Sequence, residues 1–534
     1  MFDVSRNAVM KPETVKAILR KMAIMGLDTI MLYTEDTYEV PDRPYFGYMR
    51  GRYTFQELKD CDDYANKLGI EMVPCIQTLA HLTQALKWEV MRSFRDTEDI
   101  LLPENDETYS FIEEMIRAAS APFRSKRIHI GMDEAHMLGL GRYLQFNEFK
   151  PRFQIMIDHL NRVLQITSKL GLKPMVWSDM FFRLGSKTGD YYDLQSVIPE
   201  DVVEQVPEEV QLVYWDYYHA NADFYDEWIE RHKVLGPNTI FAGGIWTWNG
   251  IITNYGRTFT CTNAALTSCK REGIKEVFAT LWNDNGAENN HFTSLLGLQL
   301  FAEHGYAETL DIDKLKRRFE FCTGASYRAF EDLKYLDEIP GVPEGNLGSC
   351  NPSKYFLWQD PLMGLFDAHL GDNSSEIIRH YQKLQGQFQV YAKENPEYSF
   401  IFEVAEKLSW VLSLKADIGV RLRESYLKED LETLKGIANE EIPELLKRVR
   451  LLRDKHREAW FITNKPYGWE VIDIRYGGVY ARLESTKWRL IEYIEGRISH
   501  IPELKEERLT FNGSKDARII HCNIYRRIAT ASVL

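Results

Sequence analysis

Four segments of this chain make the same join: "MAIMGLDTIMLY" around Gly26, "ANKLGIEMVPC" around Gly69, "TSKLGLKPMVW" around Gly171 and "CKREGIKEVFATLW" around Gly273. In each, a helical pattern stops at Gly and is followed by Leu or Ile, a charged residue and a short apolar run. Glycine just past a helix supplies the left-handed conformation that ends it. The apolar run is too short for a helix but suits a strand buried on both faces. A chain that repeats this join is building βα units and a parallel sheet.

Counting apolar runs with polar or aromatic ends gives eight candidate strands, near Phe2, Thr29, Glu71, Arg127, Pro174, Gln211, Thr239 and Val277. Amphipathic helices fill most of the gaps; in "KPETVKAILRKMAIMG", Pro12 suits a first turn. Eight units in about 300 residues fit a closed barrel better than an open sheet. The expected fold is α/β, a (β/α)8 TIM barrel over residues 1–305. The texture then changes to long-period helix with charged faces, as in "EIPELLKRVRLLRDKHREAWF". A mainly α-helical C-terminal domain is expected over residues 306–534, with a Gly-Ser turn near Gly513 that suits a small β-hairpin at the end.

Hydrophobic residues make up 44% and charged residues 27% of the 534 residues, ordinary values for a folded protein. The net charge of −14, with no long Lys/Arg run, argues against a nucleic-acid partner. Seven irregularly spaced cysteines with no Cys-x-x-Cys indicate neither a zinc ribbon nor a disulfide scaffold. The opening residues lack the basic start and apolar core of a secretory leader, and no run approaches the roughly 18 apolar residues of a membrane span. A cytoplasmic address without membrane association is the expectation.

The segment "RIHIGMDEAH", Arg127 to His136, admits two readings. Asp-Glu-Ala-His after an apolar strand resembles the metal-binding strand of a DEAH-box helicase, but that needs a Gly-x-x-x-x-Gly-Lys-Ser/Thr phosphate cradle on an earlier loop, and none is present. The other reading is a strand ending in two adjacent carboxylates, Asp133 and Glu134. A barrel gathers its catalytic groups at the C-terminal ends of its strands, and here those ends carry Arg6, Asp36, His81, Trp177, Trp215, Tyr217, Trp246, Trp248, Trp282 and Asp284. Tryptophan stacks on the apolar faces of sugar rings while carboxylates and Arg grip hydroxyls, so the rim reads as a carbohydrate pocket. Strand alternation puts His129, Gly131 and Asp133 on one face. Glu134 joins Asp133 at the mouth only if the strand has ended by then.

His129-x-Gly131-x-Asp133-Glu134 resembles the signature of family 20 glycoside hydrolases, the β-N-acetylhexosaminidases. "FDVSRNAV" on strand one is similar to the family's Asp-x-x-Arg segment and "LWND" on strand eight to its Trp-x-Glu/Asp segment. The resemblance covers about the first 300 residues. A barrel without the small α/β domain that precedes it in many members, and with a helical extension, is similar to a bacterial, dimeric subgroup. The resemblance implies an exo-acting enzyme that removes terminal β-linked GlcNAc or GalNAc from a glycan, works as a homodimer and needs no cofactor. Its mechanism would be substrate-assisted and retaining, through an oxazolinium intermediate. Asp133 would hold the acetamido N–H, Glu134 would be general acid and base, and Arg6 with Asp284 would bind ring hydroxyls. Trp177, Trp215 and Trp282 would wall the pocket. Tyr217, or its neighbour Tyr218, would reach the acetamido oxygen, although many members carry that Tyr after strand seven. Asp36 and His81 would form a supporting hydrogen-bonded pair behind the acid.

Blander readings compete at each position. His129 suits a structural role, and His129, Glu134 and His136 match no zinc spacing, so no metal is expected. Arg6 is also suited to a structural pairing with Asp3. A carbohydrate-binding barrel with little turnover, or a member that releases a disaccharide, are the alternatives to the leading function; the intact Asp133–Glu134 pair speaks against the former.

Overall fold

The structure, a computed structural model, describes residues 1–532. Eight parallel strands run in chain order: β1 (Phe2–Asp3), β2 (Thr29–Thr34), β3 (Glu71–Ile76), β4 (Arg127–His129), β5 (Lys173–Trp177), β6 (Gln211–Trp215), β7 (Ile240–Gly244) and β8 (Val277–Thr280). Each strand expected from the sequence is there, displaced by no more than a residue or two. A parallel bridge between Phe2 and Leu281 closes β8 onto β1; Asp3 N–H donates to the Leu281 carbonyl at 3.0 Å and Leu281 N–H to the Met1 carbonyl at 2.9 Å. The result is a (β/α)8 barrel.

The four helix-to-strand joins work as their sequences imply. Gly26, Gly69, Gly171 and Gly273 all have φ between 67° and 86°. At Gly26 a side chain is excluded twice. Its φ is 86°, and an added Cβ would lie 2.6 Å from the hydroxyl of Tyr306, which itself donates to the Gly26 carbonyl.

The chain divides into two compact units, and the division is more interleaved than one cut at residue 305. The first holds residues 1–244, 261–281 and 301–310; the second holds 245–260, 282–300 and the chain from residue 311 onward. The loops after β7 and β8 thus belong to the second unit. Long helices dominate that unit: Ser374–Glu394, Ser399–Lys415, Ile442–Thr463 and Trp469–Ile494. Their cores are stripes such as Leu445, Val449 and Leu452, all fully buried at helical spacing. Among them lies a buried charge group, in which Glu288 takes Lys354 at 2.9 Å and Arg475 at 2.5 Å. Buried charges persist when paired in this way.

The turn near Gly513 opens no hairpin: among the described residues no strand occurs after β8. Backbone donors in that stretch bond to side chains and to local turn carbonyls instead of to a second strand. Phe511 N–H donates to His369 Nε2 at 2.9 Å, and Cys522 N–H to Asn351 Oδ1 at 2.8 Å. The seven cysteines are buried and unbridged. No helix of the described residues is long and apolar enough to cross a membrane.

Candidate active site

β4 ends at His129, and the backbone then turns left-handed at Gly131 (φ 73°), Met132 (φ 74°) and Glu134 (φ 51°). Gly131 has no alternative here, because a Cβ would sit 2.1 Å from Gln77 Oε1 and 2.8 Å from the Ile76 carbonyl. Gln77 is the clamp. Its Oε1 accepts from Met132 N–H at 3.1 Å, and its Nε2 lies 2.7 Å from Asp133 Oδ1 and 3.1 Å from the Tyr33 hydroxyl. Strand alternation has therefore stopped before the two carboxylates. Asp133 is buried and Glu134 remains partly exposed. Non-glycine residues with positive φ are uncommon and concentrate at functional sites.

His81, also at positive φ (57°), faces both carboxylates. Its Nε2 is 3.2 Å from Asp133 Oδ2 and 3.6 Å from Glu134 Oε2. Burial works against a charge on His81, but the Asp133 carboxylate outweighs it and raises the imidazole to about 9. Burial likewise works against an ionised Asp133, yet His81, the Gln77 amide and the Arg6 guanidinium together hold its carboxyl well below the usual range. These two shifts describe one interaction.

Arg6 lies 3.5 Å from Glu35 Oε1 and 3.6 Å from Asp3 Oδ2, with its guanidinium 5.2 Å from the centre of the Tyr33 ring. Tyr33 donates to Glu35 Oε1 at 3.0 Å. Burial pushes Glu35 up to about 7, only partly offset by Arg6 and His81.

The expected pairing of Asp36 with His81 is corrected. Asp36 turns to Arg50 at 3.4 Å, and His81 is occupied by Asp133 and Glu134; no bond joins the two among the described residues. The physical reason is local. Arg50 belongs to the same loop as Asp36, brings a permanent charge, and is itself fixed by donating to the Ser5 carbonyl.

Two residues give Glu134 a further set of partners. Asp179, wholly buried at the N-terminus of the helix Asp179–Gly185, accepts the Glu134 backbone N–H at 3.1 Å and Arg183 Nε at 2.8 Å through the same Oδ2. Arg183 Nη2 donates to Glu134 Oε1 at 3.2 Å. Burial, with Asp133 and Glu134 adding to it against the pull of Arg183, brings Asp179 up to about 6. From the sequence alone, neither Asp179 nor Arg183 receives a task. The available signal was Asp179 and Arg183 at i, i+4, a spacing that ordinarily marks a surface ion pair.

Trp215 and Tyr217 stack at 5.5 Å with 24° between their planes, and Arg183 lies 5.8 Å from the Trp215 ring. Tyr218 is more exposed than Tyr217. Trp177 is fully enclosed, 4.4 Å from the His129 ring. His129 is a structural group: it accepts from Gly131 N–H at 3.1 Å, and burial lowers it to about 3. Trp282 and Asp284 belong to the second unit, where the Trp282 carbonyl accepts from the Thr247 hydroxyl at 2.7 Å. Trp246 and Trp248 of the same unit stack on each other at 4.5 Å.

His81, Asp133 and Glu134 offer three ligand atoms within 4.8 Å of one another, the geometry closest to a metal site among the described residues. To ligate a metal there, His81 would first have to give up the proton that the Asp133 carboxylate favours on its ring. What the group can do is proton chemistry: an anion kept ionised beside a carboxyl that reaches solvent.

Comparison with known proteins identifies the lineage. The family model described as "Glycosyl hydrolase family 20, catalytic domain" matches residues 1–223, over β1 to β6. The one described as "Glycoside Hydrolase 20C C-terminal domain" matches residues 328–522. The chain is similar to bovine Hexosaminidase D, 25% identical over 240 residues that span 41% of this chain and 62% of the bovine protein. Among solved structures it is similar to the Flavobacterium johnsoniae chitobiase, with 14% identity, a TM-score of 0.45 and coverage of 86% of this chain and 77% of that one. It is also similar to the β-N-acetylhexosaminidase from Streptomyces coelicolor, with 17% identity, a TM-score of 0.46 and coverage of 61% and 69%. With one family model on the barrel and another from the same family on the helical region, the chain belongs to glycoside hydrolase family 20.

Proposed function

We propose that this protein is an exo-acting β-N-acetylhexosaminidase that removes terminal β-linked GlcNAc or GalNAc from the non-reducing end of a glycan. One observation carries the reading: Asp133 and Glu134 stand side by side on the left-handed turn that ends β4, with His81 facing both. In the reaction, the carbonyl oxygen of the substrate's own 2-acetamido group attacks C1 as the glycosidic C–O bond breaks. Glu134 gives its proton to the leaving oxygen. Asp133, held anionic, accepts the acetamido N–H and balances the positive charge of the oxazolinium. Water, deprotonated by Glu134, then opens the ring at C1 with net retention.

Arg6 suits the ring hydroxyls, being charged and fixed by Glu35 and Asp3. Trp215 and Tyr217 suit the sugar face and the acetamido oxygen, and Trp177 a floor beneath them. Trp282 and Asp284 carry their roles on the Trp-x-Asp pattern alone. The same reading has the protein acting in the cytoplasm as a homodimer on short oligosaccharides.

The test is release of nitrophenol from the β-GlcNAc and β-GalNAc glycosides by the wild type and Glu134→Gln, with and without GlcNAc-thiazoline. Turnover blocked by the thiazoline, and reduced roughly 10²–10⁴-fold in the variant, is expected. Sugar binding without turnover in the wild type would leave a carbohydrate-binding barrel instead.

A further inference from the structure

Three aromatic rings stand together on the loops that follow β2 and β3. Tyr45 and Tyr48 come from the first loop; Trp88 comes from the second, seven residues beyond His81. Ring centres are 5.6 Å apart for Tyr45 and Trp88, 5.5 Å for Tyr48 and Trp88, and 5.9 Å for Tyr45 and Tyr48. Although packed on one another, Tyr45 and Tyr48 stay 42% and 45% exposed. Trp88 is half-buried, with the Lys87 ammonium 4.9 Å from its ring centre. Phe46 and Tyr53 of the same segment are fully buried, so the outward rings are not leftovers of a loose loop.

The loop is tied down and continuous with the catalytic cluster. Arg50, two residues past Tyr48, bonds to Asp36 and to the Ser5 carbonyl. Ser5 Oγ in turn accepts the Glu35 N–H at 2.8 Å, and Glu35 faces Arg6. From the second loop, the Lys87 charge acts on the Asp36 carboxyl. Both loops leave the C-terminal ends of their strands, as the Asp133–Glu134 turn does.

We propose that Tyr45, Tyr48 and Trp88 form a saccharide platform that holds a sugar unit of the substrate beyond the terminal residue being cleaved. This rests on the hydrolase reading and names the residues that would hold the oligosaccharide beyond its terminal sugar. A pyranose offers C–H groups on its faces and hydroxyls at its edge. The three rings, with planes 53° to 74° apart, form a faceted aromatic surface that carries two phenol hydroxyls and an ammonium over the Trp88 ring, which meets both needs. The same surface is a poor protein interface: the exposed parts of three rings come to a few hundred Å² at most, against about 800 Å² per partner in a stable complex.

The experiment compares kcat/KM for chitotriose with kcat/KM for nitrophenyl β-GlcNAc in the wild type, Trp88→Ala, Tyr48→Ala and Phe321→Ala, the last removing an exposed ring elsewhere. The ratio is expected to fall about tenfold in Trp88→Ala and by a smaller factor in Tyr48→Ala, mostly through KM, and to hold in Phe321→Ala. An unchanged ratio in both platform variants overturns the proposal. So does a drop in molar mass on sedimentation that accompanies the change, which would make the rings a self-association face. Failure of the hydrolase reading itself appears earlier and separately: a wild type that turns over neither substrate refutes both.

Discussion

Arg183 and Glu134 are joined by a single hydrogen bond, Nη2 to Oε1 at 3.2 Å, and the same guanidinium holds Asp179 through Nε at 2.8 Å. Since Asp179 also takes the Glu134 backbone N–H, side chain and main chain of the proposed acid are fixed by one ion pair. A left-handed residue that must keep its carboxylate aimed needs such support.

Arg183→Met is therefore expected to lower kcat/KM by about 10²-fold, mostly through kcat, as Glu134 loses the group that aims its carboxylate. Arg183→Lys keeps the charge but not the two-armed reach, and should recover only part of the loss. Profiles of kcat/KM from pH 4 to pH 9 decide it. Overlapping profiles for wild type and Arg183→Met would show that the pair serves only the fold.

The His81–Asp133 contact predicts how stability varies with pH. A folded-state imidazole raised to about 9 from an ordinary 6.5 contributes stability in full below 6.5 and loses it as pH rises through 9. The contribution is on the order of 3 kcal/mol at most. The difference in Tm between wild type and His81→Gln should accordingly be largest near pH 6 and shrink toward pH 9.5. A difference that grows over that range would contradict the pairing.

Glu35 works in the same direction by another route. Its carboxyl, pushed to about 7 by burial, favours folding while protonated, below the ordinary 4.5, and that advantage is lost as pH rises through 7. Glu35→Gln keeps the shape without the buried charge. It should raise Tm at pH 8, leave it nearly unchanged at pH 4.5, and weaken activity because Arg6 loses a partner. A lower Tm at pH 8 would mean that the Arg6 pairing outweighs the cost of burial.

Gly131→Ala tests the turn. The new Cβ must displace Gln77 Oε1 and occupy a left-handed position that alone costs about 1–2 kcal/mol. A lower Tm together with at least a tenfold loss of kcat is expected, since Gln77 orients Asp133. Loss of Tm with kcat intact would detach Gln77 from the chemistry.

The sequence by itself determined the barrel, its eight strands and the carboxylate pair. Each of those depends on patterns a few residues long: a glycine that ends a helix at Gly26 or Gly171, an apolar run of strand length, and two adjacent carboxylates at the end of such a run. Tertiary structure decided what the rim side chains do once they arrive. Asp36 lies near His81 in the expected scheme but takes Arg50, because a buried carboxylate is stabilised more by the fixed cation of its own loop. Arg183 is 49 residues from Glu134 along the chain and carries only an i, i+4 spacing that surface helices share. Trp282 and Asp284 follow β8 in sequence yet belong with the helical unit. Local periodicity sets backbone elements through bonds made within a turn or two. Which charges meet is set by long-range packing, and one chain's sequence carries no local mark of it.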